Sequence, residues 1–218
     1  GVAGIATFRK SHIDVSDALN NSGVGQGVFS SLTTGSQNVA VGDNTLTANT
    51  TGGQNTAVGY NALDANTTAS NNTAVGQLAL TANTTGTRNT AIGAQALESN
   101  TTTSYNVAVG YQALEATTAN SSTAVGDKAL AANTTGTNTA FGYSSLVANT
   151  TGTENTAVGY EALYTNTTTS NNTAVGKKAL YSNAAAYGTA VGHEALRDNT
   201  TGTQNTAVGN GALTMNTT

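Results

Sequence analysis

Apolar positions recur along the chain at a nearly constant interval. A Val or similar apolar residue directly precedes a Gly, and a Leu follows that Gly by four positions. Most of the intervening positions are Thr, Asn, Ala or Gly. The segment Asn71 to Gly93, NNTAVGQLALTANTTGTRNTAIG, contains the phrase twice, first at Asn72 and again at Asn89. A fixed period of this kind indicates a repeat architecture.

Alignment on the Gly that follows the Val gives twelve copies of the phrase. The interval between copies is constant, except that the three intervals ending at Gly126, Gly142 and Gly192 are one position shorter. The aligned positions are Gly25, Gly42, Gly59, Gly76, Gly93, Gly110, Gly126, Gly142, Gly159, Gly176, Gly192 and Gly209. The chain therefore divides into an aperiodic N-terminal leader or cap, residues 1–20, and a repeat domain, residues 21–218.

The Thr-Ala-Val run of each repeat predicts a strand, because it is rich in Thr and Val and is bounded by Asn and Gly. Known helical repeats need about 33 residues or more per unit. A repeat of half that length with a fixed Gly has no room for two helices. We predict an all-β protein, a parallel β-solenoid (β-roll) of about twelve 17-residue coils, which would form a rod of roughly 55 Å.

Strand alternation places Thr73 and Val75 on one face of the strand and Ala74 on the other. We call each aligned position of the repeat a column. Because Val and Leu form the only columns of large apolar residues, we expect both columns to fill the interior. Val75→Asp should then be severely destabilising, whereas Gln77→Lys, in a variable column, should be tolerated. The predicted core ladder consists of Val58, Val75, Ile92, Val109, Leu63, Leu80, Leu97 and Leu114.

With Val inward, the Ala column would form a flat apolar stripe on the outside. Small residues in register suggest that another chain packs closely there, and closed cyclic symmetry is the usual form of self-association. We therefore expect a homotrimer. The predicted inter-chain stripe comprises Ala57, Ala74, Ala91, Ala108, Ala157 and Ala174.

Two further columns predict backbone geometry. The repeated Gly indicates a turn with positive φ or a tight approach between coils. Seven positions later an Asn column indicates a corner, where side-chain amides bind the backbone or each other along the stack. All three shorter repeats lack a residue between the Leu and the next Val, which places the adaptable loop there.

Composition excludes several classes of function. Charged residues make up 8% of the chain, against roughly 25% in typical soluble domains. The net charge is −4, and seven scattered Lys and Arg residues form no basic surface, so we expect no nucleic-acid partner. No apolar run approaches the ~18 residues of a membrane span, so we expect no membrane insertion.

The residues that could carry chemistry are dispersed. His193 lies at a variable position, which is typical of a solvent-facing one, and His12 lies in the leader. Acid–base catalysis needs two carboxylates that converge on one site, and the acidic residues are spread along the chain. Asp14 and Asp17 are a pair that could share an ion. We expect no enzyme activity, no metal site and no cofactor.

Four tyrosines occupy the column directly after the repeated Gly: Tyr60, Tyr111, Tyr143 and Tyr160. They could form a stacking surface for a receptor sugar. The alternative is that each ring covers the aliphatic edge of its neighbours, an ordinary role for Tyr.

Adjacent Thr pairs, such as Thr67-Thr68 and Thr84-Thr85, suggest a lesser alternative, an ice-binding solenoid. Ice-binding faces usually need outward Thr at T-x-T spacing. Adjacent residues of a strand point to opposite sides, so only one Thr of each pair could face outward.

Asn72–Gly76 and its copies resemble the head repeat of trimeric autotransporter adhesins, which are trimers of left-handed parallel β-rolls at the cell surface. The fuller phrase, NTAVGYEALYTNTTTSNN at Asn155 to Asn172, more closely resembles repeats of phage tail-fibre and related bacterial surface proteins. The resemblance covers about residues 21–218. It implies a structural or attachment fibre outside the cell, on a virion or bacterial surface, with a cell-surface glycan or protein as receptor.

A second hypothesis is a self-assembling extracellular filament. The strand edge after Gly209 would be open, and open edges invite pairing with another chain. The strand-like run Ile5 to Phe8 in the leader could cap that edge on a neighbouring subunit and build a head-to-tail polymer.

Overall fold

The structure, a computed structural model, describes residues 19–217. Within this range it contains 12 strands of three residues each and no helix. The strands, β1 to β12, are Ser22–Val24, Val39–Val41, Thr56–Val58, Thr73–Val75, Thr90–Ile92, Val107–Val109, Thr123–Val125, Thr139–Phe141, Thr156–Val158, Thr173–Val175, Thr189–Val191 and Thr206–Val208. They form one parallel sheet in chain order, which confirms the β-solenoid, with about 11 turns of ~17 residues.

Equivalent residues of neighbouring strands pair directly across the whole sheet. Ala57 lies opposite Ala74, and Ala74 lies opposite Ala91. The shorter repeats keep this register, since Ala108 still pairs with Ala124. The missing residues are therefore absorbed outside the strands, and the strand side of the coil is the same from end to end.

The side chains of each strand point in the direction opposite to the prediction. The middle Ala is buried in the strands from β2 to β12, while the residues on either side of it are partly or fully exposed. Ile92 and Phe141 are each 41% exposed. The inward assignment of Val58, Val75, Ile92 and Val109 was therefore wrong. The outward stripe was wrong too, because each of its members is 0% exposed: Ala57, Ala74, Ala91, Ala108, Ala157 and Ala174.

The Leu column does lie in the interior, where Leu63, Leu80, Leu97 and Leu114 are fully buried. The reason for the reversed strand is the narrow cross-section of the coil. One Leu per coil, together with the Ala that precedes it, packs against the strand Ala in a single continuous core. A second large column on the strand wall would not fit, so the wall contributes only methyl groups.

The first coil shows this size limit directly. Gly23 takes the place of the strand Ala, and Phe29 takes the place of the Leu. A Cβ added to Gly23 would lie 2.7 Å from Cγ1 of Val28 and 3.0 Å from Cε2 of Phe29. A methyl group of Val28 and the ring of Phe29 therefore occupy the volume that the Ala methyl fills elsewhere, as expected of a close-packed core.

The chain turns away from the strand through residues with positive φ. The repeated Gly has φ between 129° and 143°, and the Leu of the next turn has φ between 49° and 54°. A Cβ on Gly76 would lie 2.5 Å from the carbonyl oxygen of Gly93 in the next coil. Both features predicted for this column, the positive φ and the tight approach, are therefore present.

Two ladders of buried Asn side chains run along the stack. In the predicted corner column, Nδ2 of Asn83 donates to Oδ1 of Asn66 at 3.1 Å and to the carbonyl oxygen of Gly86 at 3.0 Å. In the column that opens the strand, the backbone N–H of Asn72 donates to Oδ1 of Asn55 at 3.0 Å. These bonds satisfy polar groups that would otherwise be unpaired inside the protein.

A pair of substitutions at neighbouring positions tests the direction of the strand side chains. Ala74→Asp should prevent cooperative folding, because it buries a carboxylate without a partner. Val75→Asp should cost only about 1 kcal/mol, the range of strand propensity, because its side chain faces solvent. Urea unfolding followed by circular dichroism measures both. Greater destabilisation by Val75→Asp would contradict the structure.

The Asn ladder can be tested with one truncation. Asn83→Ala removes both bonds that Asn83 donates and the Oδ1 that accepts Nδ2 of Asn100 at 3.0 Å. We expect a loss of about 3 kcal/mol in the free energy of unfolding, since buried partners are left unpaired. Asn71→Gln is the control, because Asn71 is an exposed corner residue whose column also holds Gln54. Equal losses in the two variants would show that the ladder contributes nothing.

Candidate functional site

The side chains that can contact a partner lie on the outside of the stack. Among residues 19–217, no group of three or more His, Asp or Glu side chains is placed to hold a metal ion. The interior is filled by Ala, Leu and Asn. Two outer surfaces stand apart in composition: the outward side of the sheet, and a cluster of tyrosines and lysines on neighbouring coils.

The first surface is the outward side of the sheet, formed by the first and third residues of β1 to β12. We call it the Thr–Val face. The first position is Thr in nine strands, and the third is Val in ten, with Ile92 and Phe141 as the exceptions. Neither position carries a charged residue in any strand. The face is thus a band of hydroxyl and methyl groups that only the exposed ring of Phe141 on β8 interrupts.

The structure brings together only two of the four predicted receptor tyrosines. Tyr143 and Tyr160 stack with their ring centroids 5.2 Å apart and their planes at 12°. Tyr60 and Tyr111 lie in the same column, but three coils separate them from each other. All four rings are half exposed, at 43–50%.

A second aromatic pair was missed by the sequence analysis. Tyr164 and Tyr181 stack with centroids 5.1 Å apart and planes at 3°. They lie one coil apart in the same column, at the fifth position after the repeated Gly. The signal was present in the alignment, but Asp64, Thr81 and Glu98 occupy that column in earlier repeats and obscure it.

Cations lie over both stacked pairs. Nζ of Lys177 is 5.9 Å from the centroid of Tyr160, and Nζ of Lys178 is 5.3 Å from that of Tyr181. Lys178 also lies 3.6 Å from the carboxylate of Glu161. A hydrogen bond to Glu161, together with its negative charge, raises the pKa of Tyr160. The resulting cluster is called the aromatic–cationic patch: Tyr143, Tyr160, Tyr164, Lys177, Lys178 and Tyr181.

His193 belongs to a neighbouring group of charged side chains. Its Nε2 lies 3.8 Å from Glu194, which also contacts Arg197 at 3.1 Å. Arg197 binds Asp198 at 2.7 Å, and this carboxylate raises the pKa of the guanidinium. All of these side chains are partly exposed, so the group is a surface ion-pair network. His12, Asp14, Asp17 and the run Ile5 to Phe8 lie outside the described residues.

The adjacent Thr pairs do not form a free row of hydroxyls. The first Thr of a pair donates to a backbone carbonyl of the next coil, as Thr67 does to Thr84 at 3.1 Å and Thr134 to Thr150 at 2.8 Å. The second Thr, such as Thr68, is exposed. The hydroxyls of the first column are therefore occupied by the structure itself.

Comparison of the chain with protein-family models, with curated protein sequences and with solved structures gave no match. The resemblance to tail-fibre and adhesin repeats therefore stays a prediction. Residues 19–217 include no helix with the length and hydropathy of a membrane span.

Proposed function

We propose that this chain is a structural, rod-like module of an attachment fibre, of the kind found in phage tail fibres or bacterial surface adhesins. The observation that supports this function is the in-register stack of twelve strands. Each coil contacts only its neighbours, so added repeats extend the stack along one axis. A module of this type separates what is joined to its two ends. Its location would be extracellular, on a virion or a bacterial surface.

The aromatic–cationic patch is the surface that we propose for attachment. Stacked tyrosines are rigid and amphipathic, with apolar ring edges and polar hydroxyls, and Tyr is enriched where proteins bind partners. Lys177 adds positive charge beside the rings, whereas Lys178 is paired with Glu161. A cell-surface glycan or an acidic segment of a protein receptor would suit this combination. Tyr60 and Tyr111, which lie outside the patch, would contribute less.

Self-association stays a prediction. The homotrimer was inferred from an outward Ala stripe, and those Ala residues are buried in the core of their own chain. The head-to-tail polymer depends on the leader, residues 1–20, most of which lies outside the described range. Sedimentation of the full chain, with and without the leader, decides between monomer, trimer and polymer.

The attachment proposal is tested with fluorescently labelled full-length chain on glycan arrays and on bacterial cells. The double variant Tyr160→Ala/Tyr181→Ala should bind at least about tenfold more weakly than the unmodified chain, which corresponds to ~1.4 kcal/mol. Tyr60→Ala, a change of the same residue type in the same column as Tyr160, is the matched control and should bind normally. An equal loss of binding in the two variants would contradict a role for the patch. The absence of any binding by the unmodified chain would also contradict it.

A further inference from the structure

Among the described residues, the Thr–Val face repeats the same pair of outward positions in every strand, with Phe141 as its one aromatic member. Neighbouring strands of a sheet lie about 4.8 Å apart, and the first and third residues of one strand are separated by about 6.8 Å. Because all twelve strands pair in register, the face presents two repeat distances at right angles, along and across the stack. The three shorter repeats do not disturb this lattice, because their deletions fall elsewhere.

The hydroxyl groups of this face are available to solvent. None of the nine strand Thr side chains, such as Thr90 or Thr123, makes a hydrogen bond to another described residue. This distinguishes them from the loop column, where Thr67 and Thr134 donate to backbone carbonyls. Seven of these Thr residues offer a hydroxyl and a methyl group beside the methyl groups of a Val, whereas Thr90 lies beside Ile92 and Thr139 beside Phe141.

The buried side of each strand holds the outward side chains of the face in place. Between each outward Thr and Val lies an inward Ala that is almost or completely inaccessible to solvent from β2 to β12. That Ala packs into the continuous Leu and Ala core. A side chain of Thr or Val has few rotamers on a strand because it is branched at Cβ. The surface groups therefore keep fixed positions without support from a partner.

We propose that the Thr–Val face binds ice. The surface of hexagonal ice presents water molecules in rows whose spacings are close to the two distances of this array. Methyl groups would order a layer of water over the face, and the unpaired Thr hydroxyls would hydrogen-bond into that layer. The proposal does not depend on the attachment role, because it uses different columns of the repeat. It transfers the ice-binding hypothesis from the adjacent Thr pairs to the strands, where the T-x-V spacing is regular.

A protein partner fits this face less well than ice. The band is roughly 10 Å wide and 53 Å long, or about 500 Å² by strand geometry, whereas a stable protein interface buries about 800 Å² on each side. A dry interface would also remove water from nine Thr hydroxyls, at about 1–3 kcal/mol for each group left unpaired. The lack of charge on the face disfavours a nucleic acid or an anionic membrane.

The test is the thermal hysteresis of the full chain, measured with a nanolitre osmometer, together with its uptake into a growing ice hemisphere. The unmodified chain should shape ice crystals and enter the ice. Thr123→Lys and, independently, Val109→Lys place a long charged side chain in the middle of the face and should abolish both effects. Gln77→Lys adds the same charge at an exposed position outside the face and should leave both effects unchanged.

Circular dichroism shows whether each variant is folded. If Thr123→Lys does not fold, Val109→Lys provides the test of the face. Exclusion of the unmodified chain from ice, with no hysteresis, would overturn the proposal. Equal loss of activity in Gln77→Lys and the face variants would also overturn it. A stable oligomer in sedimentation that Thr123→Lys dissociates would assign the face to a second copy of the chain instead.

Discussion

Successive coils approach each other so closely at their repeated glycines that this contact sets the register of the strands, and through it the interior and the outer surfaces. A Cβ on Gly42 would lie 2.7 Å from the carbonyl oxygen of Gly59, and the same crowding recurs at the other turns up to Gly192. The φ values of these residues also lie in a region that is open almost only to Gly. Because every coil must bring its Gly over the previous one, the strands that precede them are forced into register.

Register then determines the interior. Equivalent residues lie one above the other, so the side chains of each column must pack against one another. Leu and Ala do so by apolar contact, and Asn does so because its amide can both donate and accept, as Asn83 does between Asn66 and Asn100. Thr117 replaces one Asn, and its hydroxyl still accepts a bond from Asn133 at 3.4 Å. The same register fixes the two outer surfaces on which function is proposed.

The sequence was sufficient to predict the repeat, the strand, the Gly turn and the Asn corner, because each depends on a local property of one residue type. It was not sufficient for the direction of the strand. Hydrophobicity alone favoured Val75 over Ala74 as the inward residue, but the narrow coil admits only the smaller one. The pairing of Gly23 with Phe29 in the first coil was the available clue. Stacking of Tyr143 on Tyr160 follows from their shared column, whereas Tyr164 and Tyr181 lie in a column too variable to attract notice.

Distances between spin labels would show whether the chain forms a linear stack of parallel strands. The chain contains no Cys, so labels can be placed at single engineered positions on the exposed Val column. With about 4.8 Å per strand, a label at Val58 on β3 should lie roughly 19 Å from one at Val125 on β7. The corresponding separation to Val191 on β11 should be roughly 38 Å. Pulsed electron paramagnetic resonance should find the second distance to be twice the first, and similar distances for the two pairs would contradict a linear stack.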